Sequence, residues 1–492
     1  MSDLRFGTGP ARWVIAATVL GSGMAQLDGT VVGIALPTIG RQFHTGVSTL
    51  QWVVTGYTLT LAGLLLLGGA LGDRLGRRRV FVVGTVWFAV SSLACGVAPN
   101  APALIGARAL QGIGAALLTP GSLAILQASF APDDRSKAIG AWSGLGGVAA
   151  AVGPFLGGWL IDAVSWRLIF FINLPLAAAT VLISTRHVPE SRDPTVSGRI
   201  DAGGAALVTL GLIGLIYGLI EGPVLGWHST LTVVALVGGA LALIAFWAVE
   251  GREPHPMMPP AVFRSVQFSA ANAVTFAVYG GLGGALFLLP VDLQQVSHYS
   301  PLGAGAALLP VTILMLVLSA RSGALAARIG PRLQMSVGPI VVAAGLALMV
   351  RATGSSGYLV DVLPPVAVLG LGLAITVAPL TSTVLAAAPA EHTGVASAIN
   401  NDVARTASLV AVAVLPVAAG ITGDSYLHPA QFASSFHSAM LLAAAACAVG
   451  GVLAVFTIDN PPRRVAPAAG PPIRHHSYCA LDGPPWRRDD AA

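Results

Sequence analysis

Fourteen apolar runs, each about as long as a membrane-spanning helix, limit what this chain can fold into. A bilayer core about 30 Å thick is crossed by about twenty helical residues. Hydrophobic residues make up 55% of the 492 residues and charged residues only 10%, against about 25% charged in a soluble protein. The sequence therefore predicts an all-α integral membrane protein. The predicted spans are 13–36, 50–71, 79–98, 103–125, 137–161, 167–186, 204–221, 230–249, 268–290, 303–322, 334–350, 362–384, 396–419 and 434–456.

The distribution of basic residues predicts how these spans are oriented. If the N-terminus lies inside the cell, twenty-one of the 26 lysines and arginines fall in cytoplasmic segments. Short cytoplasmic loops are enriched in these residues in membrane proteins. We therefore expect a multi-pass protein of the cell (plasma or inner) membrane with both termini in the cytoplasm.

A short loop rich in glycine and arginine occurs twice in the chain. The first copy is Gly69–Arg79, GALGDRLGRRR, and the second is Gly323–Arg332, GALAARIGPR. Both copies must be cytoplasmic, so an even number of spans separates them, and eight fit. The chain is therefore predicted to contain two related six-helix bundles and two inserted helices. The predicted segments are a cytoplasmic N-terminus at 1–12, an N-terminal bundle at 13–186, a cytoplasmic linker at 187–203, the inserted helices at 204–249, a cytoplasmic loop at 250–267, a C-terminal bundle at 268–456 and a disordered cytoplasmic tail at 457–492.

The first copy of the loop contains a carboxylate that the second copy lacks. Glycines allow two helix ends to approach closely, and Asp73 can hold an arginine or the N-terminus of a neighbouring helix. Ala327 stands at the equivalent place in the second copy, so a latch built on the carboxylate is expected only in the first half. The alternative is a basic cluster that only sets the topology.

Two ionisable residues lie within predicted spans of the first half. Asp28 is about 12 Å from the outer end of its helix by helical rise, where a charge in hydrocarbon costs several kcal/mol, so it marks a functional site by default. Arg108 lies at a comparable depth in the fourth span. A guanidinium stays protonated and favours the ionised form of a nearby carboxylate, so their approach releases a proton. The alternatives are a structural carboxylate bonded between helices and an arginine that reaches the interface.

The fifth span contains a run of small residues, GGVAAAVGPFLGG. Gly153, Pro154, Gly157 and Gly158 remove side chains from one face and interrupt the backbone hydrogen bonds, which permits close packing and bending. Simple helix packing would explain such a run equally well.

The second half has fewer candidate groups. Asp292 is either a second acidic site at the outer mouth or an interfacial carboxylate. Asp402 and Arg405 are spaced to form a nearly neutral i, i+3 pair that a bundle interior tolerates, and this pair is either structural or on the substrate side. Asn400 lies beside them.

These motifs resemble those of the major facilitator superfamily, in particular its fourteen-span drug:proton antiporters. The loop after the second span matches in Gly69, Leu71, Asp73, Arg74, Gly76, Arg77 and Arg78, and RxxQGxG in the fourth span matches in Arg108, Gln111, Gly112 and Gly114. The end of the first span matches in Leu27, Asp28, Thr30, Val31, Val32, Ala35, Leu36 and Pro37. The resemblance implies a major facilitator fold, a role of Asp28 in proton and cation handling, a proton-coupling role of Arg108, and an antiporter motif in the fifth span. Asp292 departs from the family pattern, in which tyrosine is usual at this position.

Several other classes of protein are disfavoured. The only lysine, Lys137, follows Ser136, so a Walker A loop for ATP hydrolysis is absent from the sequence. The ten histidines and three cysteines give no paired haem ligands, disulfide framework or metal spacing, and basic residues are not interleaved with aromatics as in nucleic-acid binders. The repeat favours two rocking halves over a channel.

We therefore expect a proton-coupled exporter rather than an enzyme. It would export amphipathic, in some cases cationic, small molecules such as antibiotics or dyes, driven by the proton gradient without a cofactor. It would act in the lipid bilayer as a monomer and would bind no nucleic acid. The alternative is a proton-coupled symporter, or an exporter of one specific metabolite, on the same fold.

Overall fold

Helices account for the architecture of this protein. The computed structural model describes residues 4–192, 201–253, 256–351, 357–388 and 393–460. Within these ranges, 14 helical segments are long and apolar enough to cross a membrane, which confirms the predicted number. The α-helices are α1 Gly9–Phe43, α2 Val47–Leu75, α3 Arg77–Gly96, α4 Ala101–Ser129, α5 Pro132–Ala163, α6 Leu168–Phe171, α7 Asn173–His187, α8 Ala202–Leu225, α9 Thr230–Glu250, α10 Val266–Gln295, α11 Pro301–Ala307, α12 Leu309–Ile329, α13 Arg332–Leu348, α14 Leu363–Ala387, α15 Thr393–Ala418 and α16 Pro429–Thr457.

Two predicted spans are broken helices. The sixth consists of α6 and α7, and the tenth consists of α11 and α12. Pro175 and Pro310 lie just after the breaks. Each lacks an N–H group, and its ring crowds the carbonyl four residues earlier, which interrupts the helical hydrogen bonds.

The helices extend beyond most of the predicted spans, because hydropathy marks only the apolar part of a helix whose backbone hydrogen bonds continue into polar residues. The last helix, α16, ends at Thr457, and the Asp459 N–H donates to Gln267 Oε1 on α10 at 2.9 Å. The first residues of the predicted tail therefore belong to the bundle. The rest of that tail, 461–492, and part of the predicted linker, 193–200, lie outside the described residues.

The two halves of the molecule are built alike, in agreement with the repeated loop. In the N-terminal half, α1 packs against α5 and α7, and α4 packs against α2 and α3. In the C-terminal half, α10 packs against α15 and α16, and α14 packs against α12 and α13. The two copies of the loop lie at equivalent places, at the ends of α2 and α12.

The inserted helices lie against both halves. Helix α8 contacts α2 and α15, whereas α9 packs mainly on α8. Leu212 on α8 belongs to an apolar cluster with Leu59 on α2 and Leu409 on α15. On the α2 side, Trp52 Nε1 also donates to Glu221 Oε1 at 2.7 Å. The chain passes from one half to the other through this pair.

The two halves join along a seam at one end of the molecule. We call the end that carries the Gly69–Arg79 loop the basic side and the other end the opposite side. On the opposite side the Val47 N–H donates to the Gly423 carbonyl at 2.8 Å, and Gln51 Nε2 donates to the Val412 carbonyl at 2.6 Å. Tyr426, just outside the spans, donates its hydroxyl to the Thr45 carbonyl at 2.7 Å.

Helices α1, α5, α10 and α11 complete this seam. Gln294 Nε2 on α10 donates to the Ile34 carbonyl on α1 at 2.9 Å, and the Leu302 N–H donates to Asp162 Oδ2 at 2.9 Å. Among the described residues, the hydrogen bonds that join the two halves lie on the opposite side or near it. The halves are therefore held together more firmly there than on the basic side.

Candidate functional site

A buried ion pair between Asp28 and Arg108 lies at the centre of the N-terminal half. Arg108 Nη1 on α4 donates a short hydrogen bond to Asp28 Oδ2 on α1. The Asp28 side chain is 0% exposed and that of Arg108 is 1% exposed. The similar depths of the two residues in the sequence predicted this proximity, and the arginine does not reach the interface.

Two amide side chains complete the coordination of the carboxylate, and a serine hydroxyl holds both of them. Gln111 Nε2 and Asn173 Nδ2 both donate to Asp28 Oδ1, at 2.9 and 3.1 Å. The same two amides donate to Ser92 Oγ, at 3.2 and 2.9 Å. Asp28 therefore accepts bonds from α4 and α7, and Ser92 ties both donors to α3.

The guanidinium of Arg108 is also held from several directions. Its Nε donates to the Val53 carbonyl on α2 at 3.1 Å, and its Nη1 donates to Gln111 Oε1 at 2.7 Å. The Tyr57 ring lies 4.3 Å from the guanidinium carbon, close enough for a cation–π interaction. The Tyr57 hydroxyl donates to the Ala25 carbonyl on α1 at 3.1 Å.

This network can respond to a single proton. Two charges buried together are stable only while each remains paired, and removing one charge leaves the other without compensation. Protonation of Asp28 removes its charge and turns one of its acceptor oxygens into a donor. The bonds from Arg108, Gln111 and Asn173, which join α1 to α4 and α7, then have to rearrange.

A central cavity lies between the two halves, next to this network. Its volume is ≈ 240 Å³, and its lining is largely apolar with the hydroxyls of Thr30, Thr55, Thr58 and Ser408. Gly29 and Thr30, the residues that follow Asp28, are part of the lining. Helix α1 therefore carries the charged network on one face and the cavity wall on another. The remaining lining residues are Gly33, Ile34, Val54, Pro154, Gly283, Leu286, Phe287, Pro290, Leu308, Leu409 and Val412.

The small residues of α5 contact both halves. Within the N-terminal half, a Cβ atom at Gly157 would lie 2.6 Å from Val31 Cγ1 on α1, and one at Gly153 would overlap Thr30 Oγ1. Toward the other half, a Cβ at Gly158 would lie 2.6 Å from Leu302 Cα. The backbone of Pro154 lies directly against Gly305 on α11. The run of small residues thus brings α5 against α1 and against the seam.

The Gly69–Arg79 loop is fixed to the segment that leaves the N-terminal half. Asp73 Oδ1 accepts from Arg77 Nε at 2.8 Å, so the carboxylate holds an arginine of the next helix, as one predicted role had it. Glu190 accepts from the backbone N–H groups of Arg78 and Arg79, at 3.1 and 3.2 Å, and caps α3. Gly76 has a φ of +113° and lies against the Glu190 carboxylate, a position that only glycine occupies without strain. Gly69 packs against Pro120, and Arg74 lies in the last turn of α2.

The acidic residue of α10 is deeply buried. Asp292 is 0% exposed, and neither carboxylate oxygen has a hydrogen-bond partner within the described part of the chain. This burial does not agree with the alternative of an interfacial carboxylate. The position lies close to the end of an apolar run, so hydropathy alone could not show that neighbouring helices cover it.

The predicted pair on α15 is not formed. Among the described residues, Asp402 and Arg405 share no ion pair, and Asp402 Oδ1 and Arg405 Nε are buried without a partner. At longer range, Arg405 acts electrostatically both on Asp402 of its own helix and on Tyr57 across the boundary between the halves. Asn400 Nδ2 donates to Asn272 Oδ1 and Thr275 Oγ1, at 3.0 and 2.8 Å. It therefore ties α15 to α10.

Sequence reasoning assigned no role to three members of the network. Asn173, Ser92 and Tyr57 are neutral residues in apolar runs, and each type is common in helix packing. The available signal for Asn173 is its position as an amide inside the sixth span, where it begins α7 directly after the break.

Comparisons with known proteins agree on one family. The family model of the Major Facilitator Superfamily matches residues 18–413 of this chain. The chain is 36% identical over 403 residues to the tetracenomycin C resistance and export protein of Streptomyces glaucescens, with 82% of this chain and 75% of that protein covered. It is 37% identical over 421 residues to a puromycin resistance protein of Streptomyces alboniger, covering 83% and 82%. A crystal structure of a peptide transporter in complex with sulfate has a TM-score of 0.64 at 16% identity, covering 92% of this chain and 97% of that one, a likeness of fold.

Proposed function

Because the chain belongs to the major facilitator superfamily, we propose that it is a proton-coupled exporter of amphipathic small molecules that works by alternating access. Its relatives include proteins named for antibiotic resistance and export. The central cavity suits such cargo, because apolar walls with a few hydroxyl groups bind compounds that are apolar with scattered polar atoms. The chain is a transporter in this proposal, not an enzyme, and needs the proton gradient rather than a cofactor.

The orientation follows from the positive-inside rule. The basic side, with Arg74, Arg77, Arg78 and Arg79, faces the cytoplasm, and so do both termini. The seam between the halves then lies on the external side. In this conformation the exporter would be closed to the outside and ready to take cargo from the cytoplasm.

The observation that carries the proposal is the position of the Asp28–Arg108 network on α1. The same helix lines the cavity at Gly29 and Thr30 and reaches the seam at Ile34. A proton that reaches Asp28 from the outside weakens its bond to Arg108, and α1 shifts within its bundle. Release of that proton to the cytoplasm restores the bond. One helix thus connects proton binding, the cavity wall and the external closure.

The C-terminal half would supply polar groups to the cargo. Ser408, Leu409 and Val412 on α15 line the cavity. Arg405 lies one turn from Leu409 on the same face, and Asp402 lies one turn further toward the basic side. Their unpartnered atoms suit polar groups on a substrate. This observation also favours the second candidate, a proton-coupled exporter of one specific metabolite with matching charges.

Transport into inverted membrane vesicles tests the proposal. Vesicles with the wild-type protein should accumulate puromycin or ethidium when a proton gradient is imposed, and a protonophore should abolish this uptake. Asp28→Asn should reduce uptake by tenfold or more. Asp361→Asn is the matched control, because the side chain of this acidic residue makes no hydrogen bond or ion pair within the described residues, and its backbone N–H, which the substitution keeps, donates to the Gly357 carbonyl.

Two results would contradict the proposal. Uptake by the wild type that ignores the gradient would remove the proton coupling. Full uptake by Asp28→Asn would remove the role of the network. A single compound transported in preference to every dye and antibiotic tried would favour the specific-metabolite exporter.

A further inference from the structure

Two carboxylates face each other at the base of the inserted helices. Asp201 is the N-cap residue of α8, and Glu250 is the last residue of α9. Both lie on the basic side, where the chain enters and leaves the inserted pair. Neither takes part in the Asp28–Arg108 network or lines the central cavity.

Each carboxylate has one oxygen bonded to the backbone and one oxygen free. Asp201 Oδ1 accepts from the Gly204 N–H at 2.7 Å, and Glu250 Oε2 accepts from the Met258 N–H at 3.0 Å. Asp201 Oδ2 and Glu250 Oε1 are buried and have no hydrogen-bond partner within the described ranges. Glu250 as a whole is 1% exposed.

The two free oxygens point at the same place. Both lie within 2.9 Å of the position that a Cβ atom at Gly204 would occupy. Glycine at this position is what allows them to approach each other. Within the described ranges, the charged groups that act on Glu250 are Asp201 and Glu253, both acidic, whereas Arg252 donates to the Ala248 carbonyl on its own helix.

Two ionised carboxylates this close, with no cation beside them among the described residues, repel each other strongly, and one proton held between them removes this repulsion. We infer that Asp201 and Glu250 form a proton-binding site in which a single proton bridges Asp201 Oδ2 and Glu250 Oε1. The shared proton ties the start of α8 to the end of α9 and, through Met258, to the segment that enters the C-terminal half. The shared proton therefore stabilises the connection between the two halves, and this stabilisation depends on the pH on the basic side.

The sign of the effect follows from the bound proton. The folded protein holds a proton that the unfolded chain releases at lower pH, so the stability it contributes is present at low pH and is lost as pH rises. We expect the thermal midpoint of the full-length protein in detergent to fall by about 1–2 °C between about pH 6 and pH 9. In Glu250→Gln the new amide donates permanently to Asp201 Oδ2, so this part of the pH dependence should vanish.

Controls and a second measurement make the test independent of transport. Asp133→Asn, an exposed acidic residue on the same side, should keep the wild-type profile. Gly204→Ala, whose Cβ would separate the carboxyls, should lose the low-pH stability. The infrared difference spectrum of wild type minus Glu250→Gln should contain the C=O band of a protonated carboxyl group at neutral pH. If Glu250→Gln does not fold, Asp201→Asn replaces it in both measurements.

Two outcomes overturn the inference. Identical pH profiles for the wild type and Glu250→Gln, with no carboxyl band in the difference spectrum, would show that no proton is shared. Stabilisation of the wild type by added sodium or calcium, lost in Glu250→Gln, would show that a cation lies between the oxygens instead.

Discussion

The Asp28–Arg108 pair can be tested through its effect on stability, apart from transport. In Arg108→Met, Asp28 keeps the amide donors Gln111 and Asn173 but loses the cation that pairs with it. In Asp28→Asn, Arg108 stays buried with the Val53 carbonyl and Gln111 Oε1 but no anion. Removing one partner of a buried pair costs about 3–5 kcal/mol of unfolding free energy, since the remaining charge is uncompensated.

The double variant, Asp28→Asn with Arg108→Met, distinguishes coupling from independent damage. If the two changes acted separately, their costs would add to about 6–10 kcal/mol. Because both remove the same interaction, we expect the double variant to lose only about 3–5 kcal/mol, a coupling of about 3 kcal/mol or more. The measurement is equilibrium unfolding in mixed micelles, followed by tryptophan fluorescence. Additive costs would refute a direct ionic interaction, and transport should be lost in all three variants.

Three further changes test the seam and the loop. Gly158→Val should reduce transport by tenfold or more, because the new side chain collides with α11. It should also raise the rate at which a cysteine placed at Leu302 reacts with an impermeant maleimide. The control Gly147→Val, with open space at its Cβ, should change neither transport nor this rate. Gln294→Leu removes the bond to the Ile34 carbonyl, worth about 1 kcal/mol, and should raise the labelling rate of the same cysteine about fivefold; an unchanged rate would mean that this bond does not hold the seam. Glu190→Gln weakens the cap of α3 by about 1 kcal/mol and should speed tryptic cleavage after Arg186 and after Arg192. Equal cleavage of wild type and variant would mean that the cap does not hold this segment.

The helices and the central pair were predictable from the sequence for a simple reason. A bilayer imposes a minimum length on apolar runs, and that length can be read residue by residue. The same scale places Asp28 and Arg108 at similar depths, where two charges in hydrocarbon have few partners but each other. The repeated loop predicted two related halves, because the same sequence pattern recurs at equivalent helix ends.

Other parts of the site depend on how helices rotate and pack, which spacing alone does not define. Asp402 and Arg405 are three residues apart, yet within the described part of the chain they form no ion pair, and Arg405 acts electrostatically on Tyr57 of the other half as well as on Asp402. The burial of Asp292 depends on the helices around α10. Asn173 and Ser92 look like ordinary packing residues until the fold brings their polar atoms to Asp28.

Most of the hydrogen bonds of the seam on the opposite side end on main-chain acceptors, and this affects how the protein can evolve. Gln51, Gln294 and Tyr426 donate to main-chain carbonyls, which every residue provides. Burial raises the pKa of the Tyr426 hydroxyl, so this donor persists in alkaline surroundings. Mutations that alter the acceptor positions leave these bonds in place. Lineages can therefore change the cavity lining, and with it the range of compounds exported, while the seam continues to hold the two halves together.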